Sequence, residues 1–330
     1  MIITKTPFRI SFFGGGTDYP KYFKEHGGSV LSAAIDKYAY ITCRKLPPFF
    51  KHKHRVVYSK IEEVDSIDEI NHPAVKAILS EMEITDGIEI HYDGDLPARS
   101  GVGSSSSFTV GLLNALESYK NNNIDKYELA RQAIHIEQNI IKETVGSQDQ
   151  VAAAFGNLNK ITFNRDETFD VEQIIISLEK KTMLQEHLIL FFTGVSRIAS
   201  ETAIDKVNNM NNKKEELNLI SKHVDKSIDI LKSNIIPIEE FGKLLNETWQ
   251  LKKRLSKKIT SPFIDSFYDK AIDAGAEGGK LLGAGNGGFL MFFVKPENHN
   301  SVINALKPLT SVPIKFDTLG SRVIFDGSKT

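Results

Sequence analysis

The sequence is poor in cysteine and carries almost no net charge. Its only cysteine is Cys43, so the chain can form no internal disulfide and has no cysteine-rich metal centre. Lys plus Arg number 41 and Asp plus Glu number 42, which gives a net charge of −1. Because binding to a phosphate backbone requires a basic excess or a basic stripe, this balance argues against a protein that binds nucleic acid.

The sequence also lacks a long hydrophobic run. The most apolar stretch, FLMFFV at 289–294, is far shorter than the ~20 residues that a transmembrane helix requires. Near the beginning of the sequence the apolar residues are interrupted by Lys5, Arg9 and three glycines, a pattern that does not fit a secretory signal. We therefore expect a cytoplasmic protein with no membrane partner.

Length and composition are typical of a folded protein with two domains. The chain has 330 residues, of which 41% are hydrophobic and 25% charged. At roughly 150 residues per domain, this length suggests two domains. We place the boundary near residue 180, which gives domains 1–180 and 181–330. Mixed strands followed by helices, without regular strand–helix alternation, indicate the α+β class.

Hydrophobic periodicity predicts the main elements. The predicted strands cover residues 2–12, 29–45, 56–58, 88–92, 158–163, 187–193 and 289–294. The predicted helices cover residues 108–119, 125–143, 199–232, 238–258 and 262–274. The polar run NNMNNKKEE at 208–216 indicates a solvated helix face or a break.

The segment 95–107 is rich in glycine and serine and joins a predicted strand to a predicted helix. Glycines let the backbone approach a ligand closely, and the start of a helix offers free N–H groups and a partial positive charge. Serine hydroxyls can cap the helix, bind phosphate oxygens or coordinate Mg²⁺. The segment therefore predicts an anion site, with a flexible linker as the alternative.

The third glycine segment along the chain, Gly283–Gly288, formally matches the dinucleotide-binding pattern G-x-G-x-x-G. That pattern requires a helix after the glycines and an acidic residue about 20 positions further on. Here a strand follows, so the segment predicts a tight loop that packs against a ligand or another loop. A nicotinamide-dependent dehydrogenase is accordingly the weakest functional alternative.

The first glycine segment along the chain, 14–16, follows the first predicted strand and leads into Asp18. A short acid on such a turn is well placed to accept hydrogen bonds from sugar hydroxyls. The alternative is an Asx turn, in which the side chain satisfies the local backbone.

Two acids, Glu137 and Asp149, form a candidate pair. On one straight helix they would be about 18 Å apart, but Thr144–Gly146 is poor helix material. Ser147 and Gln150 then have the spacing of a capping box, which places Asp149 at the second position of a new helix. We expect the break to bring the two acids together. Alternatively, Glu137 is a solvent-facing acid and Asp149 only complements the helix dipole.

Taken together, these segments resemble the GHMP kinase superfamily. FRISFFGGGTDYP at 8–20 is similar to its first motif, residues 97–106 to its ATP-phosphate motif, and residues 282–289 to its third motif. GSQDQVAAAFG at 146–156 and the stretch 192–200 are most similar to the subgroup of D-glycero-D-manno-heptose 7-phosphate kinases. The resemblance implies a ribosomal-protein-S5-like N-terminal domain and a ferredoxin-like C-terminal domain, with the active site between them.

The resemblance also implies site residues. ATP would be bound by Pro97, Arg99, Ser100, Gly101, Val102, Gly103, Ser104, Ser105 and Ser106. Mg²⁺ would be held by Ser105 and Glu137. Asp149 would accept a hydrogen bond from the attacking hydroxyl. Arg9 would steady Asp149 or offset the charge that develops during transfer. The sugar would be bound by Asp18, Thr17, Gly15, Gly16, Gly285 and Gly287.

A sugar that already carries a phosphate needs a second anion site. Arg197 is our first choice for this clamp, and Lys142, Arg99 and Arg44 are further candidates. Two positions depart from the family pattern. Gly15 stands where galactokinases carry a sugar-binding Glu, which disfavours galactose, and Asn286 interrupts the third glycine run.

The resulting expectation is an ATP- and Mg²⁺-dependent kinase that converts heptose 7-phosphate to the 1,7-bisphosphate at its anomeric hydroxyl. Its partners would be the sugar phosphate and ATP, with a homodimer as one possible assembly. The alternatives are another sugar kinase of the family, similar to fucokinase or galactokinase, and a non-catalytic sugar or nucleotide sensor on the same fold.

Overall fold

The computed structural model describes residues 1–195 and 200–327, and its strands form two sheets. The strands are β1 (Ile2–Phe13), β2 (Gly28–Lys45), β3 (His54–Val57), β4 (Ile61–Val64), β5 (Ile88–Gly94), β6 (Leu158–Phe163), β7 (Phe169–Gln173), β8 (Leu188–Phe192), β9 (Ala276–Leu281), β10 (Phe289–Val294), β11 (Thr310–Val312) and β12 (Arg322–Asp326).

The described α-helices are distributed along the whole chain. They are α1 (Pro20–His26), α2 (Pro73–Glu81), α3 (Ser104–Tyr119), α4 (Lys126–His135), α5 (Gln148–Phe155), α6 (Leu178–Glu186), α7 (Ser200–Asn209), α8 (Lys214–Lys232), α9 (Glu239–Lys253), α10 (Pro262–Asp273) and α11 (His299–Ala305). Among the described residues, none of these helices combines the length and apolarity needed to cross a bilayer.

The first sheet has the order β12-β1-β2-β5-β3-β4, and β6 and β7 extend it from β2. The long strand β2 pairs with β6 through its first half and with β5 through its second half. From Thr6 onward every residue of β1 is buried, because helices cover one face and the C-terminal region covers the other. The end of β1 therefore lies in the interior of the protein, covered on both faces of the strand.

The second sheet has the order β11-β8-β10-β9, and all its neighbouring strands are antiparallel. Its strand β10 is the FLMFFV run, and every residue of it is buried. The last strand, β12, returns to the first sheet and pairs with β1. The α+β class is thus confirmed, whereas the domain boundary at residue 180 stays a prediction.

Two long predicted helices are shorter in the structure. The predicted helix 125–143 ends as an α-helix at His135, and Ile136–Ile140 continue as one wider π turn. The predicted helix 199–232 is interrupted around 210–213, between α7 and α8. The run NNMNNKKEE is therefore a break, which confirms one of its two interpretations. The first four residues after Val195 lie outside the described residues.

Candidate active site

The glycine–serine segment forms a braced loop at the start of α3. Gly103 adopts a left-handed conformation, with φ of 74°, immediately before the helix. Within the loop, the Ser100 hydroxyl donates to the Pro97 carbonyl at 2.6 Å, and the Arg99 N–H donates to the Ser104 hydroxyl at 3.1 Å. Since the first N–H groups of a helix have no partner in the preceding turn, this end of α3 can bind an anion.

The third glycine segment packs directly against this loop. A Cβ at Gly283 would lie 2.5 Å from the Gly101 Cα, so only glycine permits the approach. The Phe289 N–H also donates to the Ser100 carbonyl at 3.1 Å. The predicted tight loop and the strand after it are thereby confirmed. The two segments together form one wall of the site.

Two other glycines of that segment lie against protein backbone. Cβ atoms at Gly285 and Gly287 would meet the backbones of Ile259 and Val195, at 2.8 and 2.7 Å respectively. The place of these glycines next to a sugar therefore stays a prediction. Asn286 is left-handed, with φ of 64°, a conformation that asparagine adopts more readily than most residues.

Arg9 and Asp149 form a two-pronged ion pair at the mouth of α3. Arg9 Nε and Nη2 donate to the two carboxylate oxygens of Asp149 at 2.7 and 2.6 Å, and Nη1 donates to the Gly101 carbonyl at 2.7 Å. The Arg9 side chain is 3% exposed, and that of Asp149 is 25% exposed. A Cβ at Gly103 would lie 3.4 Å from Asp149 Oδ2. The partly exposed carboxylate is thus fixed beside the glycine–serine loop, residues 95–107, which we call the anion loop.

Glu137 is brought to the same helix end by the predicted break. The π turn carries Glu137, and α5 begins at Gln148, so Asp149 occupies the predicted second helical position. Gln150 Nε2 donates to Glu137 Oε2 at 2.5 Å. The expected convergence of the two acids is confirmed. The prediction of a capping box is wrong. The Ser147 side chain makes no capping hydrogen bond to α5, and the Gln150 side chain donates to Glu137.

The serine that contacts Glu137 is Ser106. Its hydroxyl donates to Glu137 Oε2 at 2.9 Å, whereas Ser105 is exposed on the first turn of α3. Glu137 Oε1 is buried and has no hydrogen-bond partner among the described residues. Burial raises the pKa of Glu137 to about 7, although hydrogen bonds oppose the shift. An orphaned, buried carboxylate oxygen is a suitable ligand for a hard cation.

Asp18 is buried in the turn after β1. Gly16 N–H donates to its Oδ1 at 2.8 Å, and Gln148 Nε2 donates to its Oδ2 at 3.2 Å. The first bond satisfies a local backbone N–H, but it is not the predicted Asx turn, because its donor precedes Asp18 and Pro20 has no N–H to donate; the second bond ties the acid to α5. Burial raises the pKa of Asp18; nearby Lys206 opposes this shift and Asp149 adds to it. Asp18 is thus in electrostatic contact with the Arg9–Asp149 pair.

The other residues of the turn have different environments. The Thr17 side chain is fully buried, and its hydroxyl bonds to the Gly14 carbonyl and to the backbone of Ser29. The expected sugar contact from Thr17 is therefore wrong, because its hydroxyl is used to hold the turn. The Gly16 N–H is used by Asp18, and Gly15 has open space around it apart from the Ser11 hydroxyl.

The described residues among the four predicted to form a second anion site have different environments. Arg197 lies outside the described residues. Arg44 is paired with the buried Glu89, Nη2 to Oε2 at 2.5 Å, so its charge is already used. Arg99 and Lys142 are left-handed residues, and the charge of Arg99 lowers the pKa of Glu143, which burial raises more strongly.

Sequence reasoning missed three buried lysines near Asp18. They are Lys206 of α7, Lys252 of α9 and Lys280 of β9. A single lysine in a predicted helix or strand is normally interpreted as a surface residue. The sequence therefore gave little indication that these three lysines are buried. The one available signal was the apolar and glycine-rich surroundings of Lys280.

Comparisons with known proteins agree with this geometry. The model for the GHMP kinases N terminal domain matches residues 69–157, and the model for the GHMP kinases C terminal region matches residues 229–308. A D-glycero-alpha-D-manno-heptose 7-phosphate kinase of Campylobacter jejuni is 29% identical over 321 residues, with 93% of each chain covered. A galactokinase of Pyrococcus furiosus is 26% identical, with 92% of each chain covered.

A solved structure is also similar over the full length. The crystal structure of a D-glycero-D-manno-heptose 1-phosphate kinase from Bacteriodes thetaiotaomicron superposes with a TM-score of 0.79 at 26% identity, and 99% of each chain is covered. Fold, anion loop and matches together define a small-molecule kinase. The chain belongs to the GHMP kinase family, in which ATP is the phosphate donor.

Proposed function

We propose that this protein is an ATP-dependent sugar kinase that phosphorylates the anomeric hydroxyl of D-glycero-D-manno-heptose 7-phosphate. The sugar class is supported by relatives named heptose phosphate kinase, galactokinase and fucokinase. The observation that carries the proposal is the Asp149 carboxylate, which Arg9 holds in a fixed orientation beside the start of α3. The product would be the 1,7-bisphosphate.

The glycine–serine loop would bind the ATP phosphates. Free N–H groups at the start of α3 would donate to phosphate oxygens, and the helix dipole would favour the negative charge. The Arg9 bond to the Gly101 carbonyl connects this loop to the catalytic pair. Phosphoryl transfer depends mainly on positioning and charge stabilisation, and these contacts supply both.

Asp149 would orient the attacking hydroxyl. An aspartate has an ordinary pKa near ~3.9, so it is a weak base that accepts the proton only late in the transfer. Because both of its oxygens are bonded to Arg9, the carboxylate cannot rotate away from the hydroxyl. Arg9 would also offset the charge that develops during transfer.

Mg²⁺ fits the oxygen donors next to the loop. Glu137 has a buried, unpartnered Oε1, and magnesium sites commonly combine one or two carboxylates with substrate phosphates. Glu137 and Ser105 would hold the ion as first expected, and the contact of Ser106 with Glu137 makes its hydroxyl a further candidate. When bound, the cation would neutralise charge on the ATP phosphates.

A substrate panel tests the proposal. Purified protein with ATP and Mg²⁺ is offered heptose 7-phosphate, free heptose, galactose and fucose, and phosphorus NMR assigns the position of the new phosphate. We expect selective formation of the 1,7-bisphosphate, and Asp149→Asn serves as the inactive control. Preference for galactose or fucose would assign another sugar kinase, and binding of both ligands without turnover would assign a sensor. Either result would refute the proposal.

A further inference from the structure

Three buried lysines on three different elements interact electrostatically with Asp18. Lys206, Lys252 and Lys280 are 5%, 6% and 3% exposed. The lysines repel one another. The positive charges of Arg9 and Lys206 lower the pKa of Lys280, and those of Lys280 and Lys206 lower the pKa of Lys252. The Asp18 carboxylate opposes these shifts, because its negative charge raises the pKa of both Lys252 and Lys280. When its lysines are protonated, the cluster therefore carries more positive than negative charge.

This excess of positive charge is unpaired in the described part of the chain. Arg9 is neutralised by Asp149, but none of the three lysines forms an ion pair with a described carboxylate. Burial and neighbouring cations lower the pKa of Lys280 to about 7. Burying unpaired cations is costly, and the cost is removed when a ligand brings the opposite charge.

The ammonium groups differ in the donors that they have left. Lys252 donates to the carbonyls of Leu281 and Gly283, both at 2.8 Å, so two of its three hydrogens hold the third glycine segment. Lys280 donates once, to the Phe12 carbonyl at 2.8 Å. Lys206 Nζ lies 4.0 Å from the centre of the Tyr19 ring. Lys280 and Lys206 therefore retain free donors.

We propose that Lys206 and Lys280 bind the phosphate that the sugar substrate already carries, and that Lys252 is a positioning residue for the third glycine segment. The inference rests on the proposed function and deepens it. Asp18 interacts electrostatically with Asp149, with Lys206 and with Lys280. A sugar bound at Asp18 would therefore extend from the acceptor hydroxyl at Asp149 toward the two lysines. The lysines, rather than the arginines expected from sequence, would select a phosphorylated sugar.

The alternative role for these lysines is stabilisation of the ATP phosphates. The two roles differ in what they predict for an unphosphorylated sugar. A lysine that binds the substrate phosphate matters only when that phosphate is present. A lysine that acts on ATP matters for every acceptor.

The test compares Lys206→Met and Lys280→Met with wild type on heptose 7-phosphate and on free heptose. We expect kcat/KM for heptose 7-phosphate to fall about 10- to 100-fold in each variant, as for loss of a charge-assisted hydrogen bond, with less than about a threefold change for free heptose. Lys206→Arg should restore much of the loss. Lys226→Met, which removes an exposed lysine, is the matched control and should change neither value.

Equal losses on the two sugars would overturn the inference, and so would an increase in the KM for ATP. Thermal unfolding of each variant checks its fold. Lys280→Met leaves the Phe12 carbonyl without the Lys280 donor, whereas Lys206 donates to no backbone carbonyl of the described residues. The Lys206 variant therefore keeps the test decisive even where the Lys280 variant is unstable.

A second measurement separates this inference from the proposed function. If wild type does not phosphorylate heptose 7-phosphate, the proposed function fails, and the lysines are tested with inorganic phosphate alone. Calorimetry is done with the nucleotide site filled by a non-hydrolysable ATP analogue. Binding to wild type that is at least tenfold weaker in both methionine variants supports the anion site. Absence of phosphate binding, or equal binding to all variants, overturns it.

Discussion

The close contact between Gly146 and Asp18 gives a sharp test of the site. A Cβ added at Gly146 would lie 1.8 Å from Asp18 Oδ2 and 2.6 Å from its Cγ, and the three nearest atoms all belong to Asp18. Since Cβ contacts under 3.0 Å are essentially never seen, the carboxylate would have to move by about 1 Å or more. Gly146→Ala should therefore displace Asp18 with little other disturbance.

The size of the effect follows from the bonds that Asp18 would lose. Displacement would stretch or break the bonds from Gly16 at 2.8 Å and Gln148 at 3.2 Å. Each bond to a charged group contributes about 1.5–3 kcal/mol, and partial rearrangement reduces the sum. We expect Gly146→Ala to lower the free energy of unfolding by about 2–4 kcal/mol and to raise the KM for the sugar at least about tenfold.

A double-mutant cycle with Asp18→Ala makes the reasoning refutable. Asp18→Ala removes the three atoms that lie nearest to the new methyl group, so Gly146→Ala should cost less than about 0.5 kcal/mol in that background. Urea unfolding followed by circular dichroism gives the four free energies, and steady-state kinetics give the four KM values. If Gly146→Ala is equally costly with and without Asp18, the contact is not the cause and the argument is wrong.

Three further outcomes are expected. Asp149→Asn keeps the shape of the side chain but cannot accept a proton, so kcat should fall by about 10²–10⁴-fold while the protein stays folded; activity near wild type would exclude Asp149 as the base. Gly283→Ala pushes on Gly101 and should raise the KM for ATP more than the KM for the sugar, which separate titrations of the two substrates will measure. The lowered pKa of Lys280 means that the folded, ligand-free protein binds fewer protons than the unfolded chain between about pH 7 and 10.5. Stability should therefore rise with pH across that window, and pH-dependent urea unfolding should show a smaller rise in Lys280→Met; an identical rise in both proteins would contradict this.

The features that the sequence predicted well depend on local chemistry. The break before Ser147 was predictable because Thr144–Gly146 is poor helix material, and that break is what brings Glu137 to Asp149. The glycine–serine loop was predictable because glycines and serines lie directly before a helix that the spacing of its apolar residues predicts. In each case the decisive residues are near one another in the chain.

The features that it missed depend on neighbours that are distant in the chain. One step along the first turn of α3 rotates a side chain by about 100°, which separates the exposed Ser105 from Ser106 on Glu137. Gln150 had the spacing of a capping residue, yet the nearby buried carboxylate provides a stronger acceptor for its amide. Whether Thr17 faces a ligand likewise depends on the backbone of β2 beside it.

The buried lysines make the same point about charge. Their exposure could not be derived from sequence, because it is set by packing between α7, α9, β9 and the end of β1. Yet the contrast within the site carries information that no single residue does: Arg9 forms an ion pair with Asp149, whereas Lys206 and Lys280 form none with any carboxylate among the described residues. A group whose charge is already matched can orient a reacting atom without holding an anion of its own. Lysines whose charge is unmatched favour an anion from outside, and the phosphate of the proposed sugar substrate would supply one.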